Sequence, residues 1–155
     1  MQRSRYRRST GRQAASNAAR LRAHYLAARY VVGEGPECFV LRVDHASETL
    51  LALHQRHGVA CSAFLTACNP RSELHSAAEN EFAQSELEAR LAQRGVHCVA
   101  GRGIDPAGRW PDEPSVLALG LPASEAESLA RQYGQNALLV MADDAMPRLV
   151  WVAAG

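Results

Sequence analysis

The sequence predicts a single α/β domain, built as a mixed β-sheet flanked by helices. Two observations indicate this fold class. Short apolar runs of strand length alternate with segments of helical pattern, as they do when helices cover a sheet. These runs are apolar at successive positions, which is typical of strands buried on both faces. The length of 155 residues fits one domain with a sizeable core.

The N-terminal region is expected to hold an arm, a helix and a hairpin. Residues 1–13 are polar, rich in arginine and without periodicity, so we expect a disordered basic arm there and a folded domain over residues 14–155. An alanine-rich helix is predicted over residues 14–28. Strands at residues 30–32 and 38–43 flank a turn of glycine and proline, which predicts a hairpin.

A helix and the central strand follow. Residues 47–56 have a helical pattern that Gly58 ends. Residues 60–66 form a mostly apolar run of strand length, and Asn69-Pro70 ends it because proline has no N–H to continue a ladder.

The next helix has clear signals at both ends. Ser76-x-x-Glu79 has the spacing of a capping box, in which each residue bonds the backbone of the other. Gly95 can end this helix about five turns later.

The second half of the chain repeats the alternation of strands and helices. A strand over residues 96–100 precedes a long stretch without periodicity, residues 101–114, for which we expect an ordered loop. A strand over residues 115–121 follows. Ser124-x-x-Glu127 again has capping-box spacing, and it predicts a helix that Gly134 ends. Strands at residues 136–141 and 148–152 are expected to form a hairpin.

The basic residues of the chain are all arginine, 17 in number, and lysine is absent. This excludes a Walker A lysine, a Schiff-base lysine and a lysine general base. Any bound anion must therefore be held by arginine, by backbone N–H groups or by a metal ion.

Charge is distributed unevenly along the chain. Residues 1–33 hold eight arginines and no acid, whereas the remainder holds nine arginines and 16 acids. A basic arm of this kind either contacts nucleic acid or an acidic partner, or is a frayed tail kept in solution by its charge. Nucleic-acid binding is the less favoured of these interpretations; the arginines that would carry it are Arg3, Arg5, Arg7, Arg8 and Arg12.

The sequence favours a cytoplasmic location without a membrane partner. It contains no apolar run long enough to span a bilayer and no apolar segment after the basic N-terminus that would make a signal peptide. The four cysteines contain no C-x-x-C pair, so we expect buried free thiols rather than disulfides or metal ligands. They are Cys38, Cys61, Cys68 and Cys98.

A candidate site lies at the start of the helix that follows the central strand. Asn80 shares a face with the apolar positions of this helix, so it is expected to point toward the sheet. Ligands of open α/β sheets bind at the carboxyl ends of strands, and helix N-termini there favour anions. We therefore expect Asn69, Ser72 and Asn80 to bind a ligand, with Glu79 beside them.

A second set of candidate residues lies in and after the predicted loop. Trp110 and Ser115 would contact the ligand, and Glu113 is held between two prolines. If Glu113 faces Glu79, the two carboxylates would form an acid/base pair or a metal site. Gln135 and Asn136 follow a helix-ending glycine and are further ligand candidates.

Each of these candidates also has a purely structural interpretation. Glu79 completes a capping box, Asn69 precedes a proline in a turn, and Asn80 is a buried amide that ties down a loop. Of the histidines, His54 and His57 are one helical turn apart, and a solvated helix end is favoured over a metal site.

Several motifs in a fixed order resemble DUF3293, a bacterial family described as a domain of unknown function. The similarity spans residues 25–151 and implies no activity or cofactor. Members usually have an aromatic residue where this chain has Cys68, and the basic arm lies outside the similarity. The motifs are Asn69-Pro70-x-Ser72, Ser76-x-x-Glu79-Asn80, Gly101-x-Gly103-x-Asp105-Pro106, Trp110-Pro111-x-Glu113-Pro114-Ser115 and Tyr133-Gly134-Gln135-Asn136-Ala137.

Two hypotheses of function remain from the sequence. In the first, a nucleotide or another small polar metabolite binds in a crevice between residues 69–80 and 101–115, and Glu79 or Glu113 acts as the acid/base if the ligand is turned over. In the second, the chain is a non-catalytic regulatory or interaction module in which the same residues brace the loops. The sequence does not decide between enzyme and binder, and it identifies neither a cofactor nor an oligomeric state.

Overall fold

A computed structural model describes the backbone of residues 3–153 and the side chains of residues 11–153. Four α-helices and seven strands lie in this part of the chain. The helices are α1 (Arg3–Ala27), α2 (Glu48–His57), α3 (Ala77–Gln93) and α4 (Ala123–Gln132). The strands are β1 (Arg29–Val32), β2 (Phe39–Leu41), β3 (Ser62–Leu65), β4 (His97–Ile104), β5 (Glu113–Leu119), β6 (Ala137–Met141) and β7 (Arg148–Trp151).

The strands form one sheet in the order β2-β1-β4-β5-β3-β6-β7. The predicted fold class, an α/β domain whose sheet is flanked by helices, is confirmed. The sheet is antiparallel at each described pairing rather than mixed. Helix α3 joins β3 to β4, which run parallel, but β5 lies between them. Helix α4 likewise joins β5 to β6 across β3, so these crossovers leave no parallel neighbours.

Helices cover both faces of the sheet. Ala63 and Leu65 pack with α3 and α4 on one face, together with Leu87 and Leu129. Phe64, between them on β3, packs on the opposite face with Leu50 of α2. The alternation along one strand thus contributes to two apolar cores, which explains why β3 is buried at each position.

Both ends of α2 and the start of α3 follow the sequence signals. Ser47 caps α2 by accepting the N–H of Leu50, and Gly58 ends the helix in a left-handed conformation at φ 63°. The capping box of Ser76 and Glu79 is present at the start of α3, as predicted.

The predicted capping box of α4 is wrong. The helix begins at Ala123, and Pro122 occupies the N-cap position without a side-chain cap. Ser124 therefore already lies in the first turn of the helix. Proline holds φ near the value that a helix start requires, so the chain enters α4 before the serine.

The prediction of a long loop over residues 101–114 is also wrong. Strand β4 continues to Ile104 and β5 begins at Glu113, which leaves a shorter connection of residues 105–112. The glycines of this stretch suggested a break, but Gly101 lies within the ladder opposite Ser115. A Cβ at Gly101 would lie 2.6 Å from the carbonyl oxygen of Val31, so the close packing of the strands requires glycine.

Helix α1 begins at Arg3, whereas the sequence favours a disordered arm through residue 13. Met1 and Gln2 of that arm lie outside the described residues. Residues 11–20 are exposed, and burial begins with Leu21. Because a helix without packing is marginal in water, the division into an arm and a domain at residue 14 stays a prediction.

The cysteines are all free thiols, but their burial differs. Cys68 is buried, and Cys38 is exposed, so the expectation of a buried thiol is wrong for Cys38. In the described part of the chain, no helix combines the length and the apolar character that crossing a membrane requires.

Candidate functional site

A cavity of about 250 Å³ lies between the C-terminal half of α1 and the sheet. We call it the α1 cavity. Its walls are mostly aromatic and aliphatic, and polar side chains, His24 and Glu113 among them, also line it. The residues that line it include Leu21, Tyr25, Tyr30, Phe64, Ser72, Gly103, Asp105, Trp110, Glu113, Ser115 and Gln135.

The floor of the α1 cavity is a row of three residues across neighbouring strands. Gly103 of β4 is the direct partner of Tyr30 on β1 and of Glu113 on β5. A Cβ at Gly103 would meet no atom within 4 Å. The absence of a side chain there leaves open space between the Tyr30 ring and the Glu113 carboxylate.

Glu113 is the acidic residue that this row places at the cavity. Its Oε1 accepts a 2.6 Å hydrogen bond from the indole N–H of Trp110 and a 3.4 Å hydrogen bond from the side-chain amide of Asn69. Its Oε2 has no hydrogen-bond partner among the described residues. Burial raises the pKa of Glu113, although the hydrogen bonds from Trp110 and Asn69 lower it in part. The free oxygen is therefore available to a molecule in the cavity.

Asp105 fixes the loop that carries Trp110. Its carboxylate accepts the backbone N–H groups of Ala107, Arg109 and Trp110. These hydrogen bonds, that of Ala107 foremost, lower the pKa of Asp105. The loop after β4 is thus ordered, as the sequence indicates, and it holds the indole against Glu113.

Tyr25 closes the cavity from α1. Its hydroxyl is hydrogen bonded to the hydroxyl of Ser72, 3.3 Å away, and its ring packs edge-on against Trp151. The hydroxyl of Tyr30 donates to the backbone carbonyl of Tyr25, which ties the end of α1 to the sheet. Burial raises the pKa of both tyrosines, so each hydroxyl keeps its proton at neutral pH.

The turn before α3 is held in an unusual backbone conformation. Asn69, Arg71 and Ser72 all have positive φ, at 47°, 58° and 57°. Two hydrogen bonds of 2.9 Å join Asn69 to Asn80. The backbone N–H of Asn69 donates to Oδ1 of Asn80, and Nδ2 of Asn80 donates to Oδ1 of Asn69. This pair of hydrogen bonds fixes the turn against the start of α3.

The predicted crevice between residues 69–80 and the following loop exists, but it lies outside the α1 cavity. Asn69 and Asn80 line this outer crevice, together with acidic residues of α3. Trp110, Glu113 and Ser115 instead line the α1 cavity. The side chain of Asn69 spans the boundary, because its Nδ2 reaches Glu113.

Glu79 is not brought together with Glu113. Its exposed carboxylate bonds the backbone N–H of Ser76 and contacts Nδ1 of His75 at 3.2 Å. The side-chain and backbone hydrogen bonds of Ser76 lower the pKa of Glu79. Glu79 lines neither the α1 cavity nor the outer crevice, so the acid/base pair has only one member at the cavity.

The remaining predicted ligand residues are distributed over two sides of the structure. Ser115 and Gln135 are buried and line the α1 cavity, as does Ser72. Gln135 donates to the carbonyl of Cys68, and Asn136 donates a 2.9 Å hydrogen bond to the hydroxyl of Ser72. Asn136 lies on the far side of Ser72 and lines a separate surface cleft.

Sequence reasoning did not predict most of the residues that line the α1 cavity, including two tyrosines, a glycine and an aspartate on which its shape depends. Tyr25 was interpreted only as a face of a helix, and Tyr30 only as part of a short strand. Gly103 and Asp105 belong to a motif of the family resemblance, but the sequence places them in a long loop and not at a site. The available signal was the alternation Gly101-x-Gly103, because two glycines on one face of a strand predict open space or close approach there.

The expectation of a solvated helix end is wrong for His54, because this residue is buried. Its Nε2 lies 2.7 Å from the hydroxyl of Ser62, and its Nδ1 is buried without a hydrogen-bond partner. Burial lowers the pKa of His54. No group of three or more potential metal ligands occurs in the part of the chain that the structure describes.

Residues 65–138 match a family described as "Protein of unknown function (DUF3293)". The match confirms the resemblance that the motifs indicate, over just under half of the chain instead of residues 25–151. It includes Trp110 and Glu113 but not the two tyrosines of the cavity. No curated protein and no solved structure is significantly similar to the chain.

Proposed function

We propose that this chain, identified with the DUF3293 family through residues 65–138, binds a small molecule in the α1 cavity. The observation that carries the proposal is the half-buried carboxylate of Glu113, which lines the cavity and has one oxygen fixed by Trp110 and Asn69 and the other without a hydrogen-bond partner among the described residues. A fixed polar group in a mostly apolar pocket is the common plan of a ligand site.

The size of the cavity limits the ligand. A volume of about 250 Å³ lies below the roughly 300–1,000 Å³ of pockets that hold drug-sized ligands, and above the roughly 150 Å³ of a cavity that binds benzene. A small metabolite of one ring or a short chain fits this range. A nucleotide, the other ligand class that the sequence suggests, is too large to lie inside.

The polarity of the cavity favours an apolar body with one polar end. Tyr30 and Phe64 are almost fully buried and offer their rings to the apolar part. The free oxygen of Glu113 accepts a hydrogen bond, so the polar end would be an amine, amide or hydroxyl group. Opposite a protonated amine, the carboxyl group of Glu113 would be ionised. Opposite a neutral group, it would hold its proton more readily.

Glu113 is also the residue through which a reaction would proceed. A carboxyl whose pKa is raised by burial holds its proton more readily than a solvated one, which suits it to act as a general acid. Glu79 would take no part, because it is exposed and bonded to Ser76. Turnover of an identified ligand is the test of enzyme against pure binder.

Thermal shift against a panel of small molecules tests binding. The panel holds aromatic and aliphatic amines, phenols, nucleotides and divalent metal ions. A ligand at 100 times its dissociation constant adds about 2.7 kcal/mol of stability, which is a measurable rise in melting temperature. We expect small amines or phenols to raise it and Gly103→Val, which fills the floor of the cavity, to abolish the rise. A panel without any shift would contradict the proposal.

The second candidate function is a protein-interaction module. Two large apolar side chains support it: Leu74 is 65 % exposed and Phe82 on α3 is 73 % exposed. Exposed apolar side chains are typical of contact surfaces where they form one contiguous patch. Gel filtration of the wild type and of Phe82→Ser tests this candidate; a self-association that the variant lacks would favour it.

Nucleic-acid binding through the arm is the third candidate. Arg12 and Arg20 lie on an exposed part of α1 that carries no acidic residue. Affinity that falls steeply with salt and is lost on deletion of residues 1–13 would be its signature. All three candidate functions place the protein in the cytoplasm. The free thiols are compatible with a reducing compartment.

A further inference from the structure

A surface cleft that is lined by two arginines lies beside the α1 cavity. We call it the arginine cleft. One wall is the turn that contains Arg71, and the other is the end of α4 and the residues after it, beginning with Arg131. The residues that line it are Arg71, Arg131, Gly134, Gln135, Asn136, Trp151, Val152 and Ala153.

No acidic side chain among the described residues neutralises the two guanidinium groups. Among the described residues, neither Arg71 nor Arg131 forms a salt bridge, and no acidic side chain lines the cleft. Of the nine arginines from residue 34 onward, Arg90, Arg94 and Arg148 form salt bridges among the described residues. Arg71 and Arg131 differ from the other arginines in that they line one cleft together. Two like charges that share a cleft repel each other unless an anion lies between them.

The backbone at Arg71 supports a role for its side chain. Its φ of 58° and ψ of 22° lie in the left-handed region, which is costly for any residue with a Cβ. The backbone N–H of Arg71 donates a 2.7 Å hydrogen bond to the carbonyl of Gly134, so the turn is fixed against the end of α4. Glycine would adopt this conformation without strain. Residues held in strained backbone conformations cluster at ligand sites, and Arg71 is one of three residues with positive φ in this turn.

The other groups of the cleft suit an oxyanion on an aromatic or planar body. Asn136 offers an amide, and the partly exposed indole of Trp151 offers a flat apolar surface. Arginine binds phosphate and carboxylate through paired N–H groups, and the chain has no lysine that could substitute for it. We propose that the arginine cleft is a binding site for a small molecule with a phosphate or carboxylate group, held between Arg71 and Arg131.

Titration with three probes tests the proposal: inorganic phosphate, phenyl phosphate and benzoate. The chain has two tryptophans, so Trp151 is observed alone by fluorescence in a Trp110→Phe background. We expect saturable quenching by at least one probe. Preference for phenyl phosphate or for benzoate identifies the oxyanion, and tighter binding of phenyl phosphate than of inorganic phosphate indicates a contact with Trp151.

Three variants assign the binding to the cleft. We expect Arg71→Gly to weaken it at least tenfold while the melting temperature stays the same or rises, because glycine relieves the strain. Arg131→Gln should weaken it equally without a change in melting temperature. The control is Arg56→Gln, an exposed arginine on α2 that does not line the cleft, and it should bind as the wild type does.

Two results would overturn the proposal. One is the absence of saturable binding by all three probes at low ionic strength. The other is an equal loss in Arg56→Gln, which would indicate binding to net charge alone. Gly103→Val separates this site from the α1 cavity, because filling the cavity should leave the binding of phenyl phosphate unchanged.

Discussion

The indole N–H of Trp110 donates a 2.6 Å hydrogen bond to Oε1 of Glu113 at the edge of the α1 cavity. Both residues come from the segment in which the sequence places a single loop. The hydrogen bond fixes the carboxylate in one orientation, and Asn69 supports the same oxygen. A rigid carboxylate with one free oxygen is a specific recognition group, whereas a mobile one would lose entropy on binding.

The pH dependence of stability should change when Glu113 is replaced. Burial raises the pKa of Glu113 above its ordinary value of 4.5, so the folded protein holds this proton more tightly than the unfolded chain does. The contribution to stability is complete below pH 4.5 and is lost as the pH rises through the raised pKa. Glu113→Gln can still accept the hydrogen bonds of Trp110 and Asn69 but carries no charge.

We therefore expect Glu113→Gln to gain stability relative to the wild type between pH 5 and pH 8. Urea unfolding of both proteins at the two pH values measures this difference. An equal difference in stability at both pH values would contradict a raised pKa of the Glu113 carboxyl group.

The paired amides should be necessary for the fold. Asn80→Ala removes both hydrogen bonds to Asn69 and leaves the buried backbone N–H of Asn69 unpaired, while Oδ1 of Asn69 keeps the hydrogen bond from the N–H of His75. We expect a loss of roughly 1–3 kcal/mol in the free energy of unfolding. Ser85→Ala, at an exposed position of the same helix, is the control and should be close to neutral. Equal effects of the two substitutions would show that the amide pair does not hold the turn.

Two glycines of β4 should respond in opposite ways to alanine. In Gly101→Ala the new Cβ would lie 2.6 Å from the carbonyl oxygen of Val31 and 2.8 Å from the ring of Phe64, so we expect a loss of roughly 1–3 kcal/mol. In Gly103→Ala the Cβ meets nothing within 4 Å and enters the α1 cavity. We expect this variant to keep or raise its stability and to bind cavity ligands more weakly. Chemical denaturation measures both, and similar losses in the two variants would contradict the open floor.

His54 should make the fold sensitive to acid. Burial lowers its pKa below the ordinary value of 6.5, so the unfolded chain takes up a proton that the folded protein excludes. The contribution of neutral His54 to the free energy of unfolding is complete above pH 6.5 and falls as the pH drops toward the lowered pKa. His54→Gln should lose less stability than the wild type between pH 7 and pH 5, measured by thermal melting. The same loss in both proteins would assign acid sensitivity to other groups.

The sequence predicted well where local chemistry sets the structure. The capping box of Ser76 and Glu79 and the left-handed terminator Gly58 depend on neighbouring residues, and both are present. The prediction from sequence failed where contacts with residues far along the chain determine the local structure. Gly101 and Gly103 break a helix or a strand in isolation, but the packing of β4 against β1 and Phe64 makes them strand residues.

The candidate site was predicted in its parts but not in its arrangement. Trp110, Glu113 and Ser115 were expected to face the same crevice as Asn80. They lie at the α1 cavity instead, because the start of β5 directs Glu113 and Ser115 toward the face that α1 covers. The position of α1 depends on contacts such as that of Tyr25 with Trp151, which no local pattern encodes.

The most direct test of the central claim is the affinity of benzylamine and of toluene, measured by ligand-observed NMR for the wild type, Glu113→Gln and Gly103→Val. The two probes share an apolar ring and differ in the amine that would face Glu113. We predict that the wild type binds benzylamine at least tenfold more tightly than toluene, that Glu113→Gln loses this preference, and that Gly103→Val binds neither. Equal affinity of the wild type for both probes, or undiminished binding by Gly103→Val, would contradict a ligand site at Glu113 in the α1 cavity.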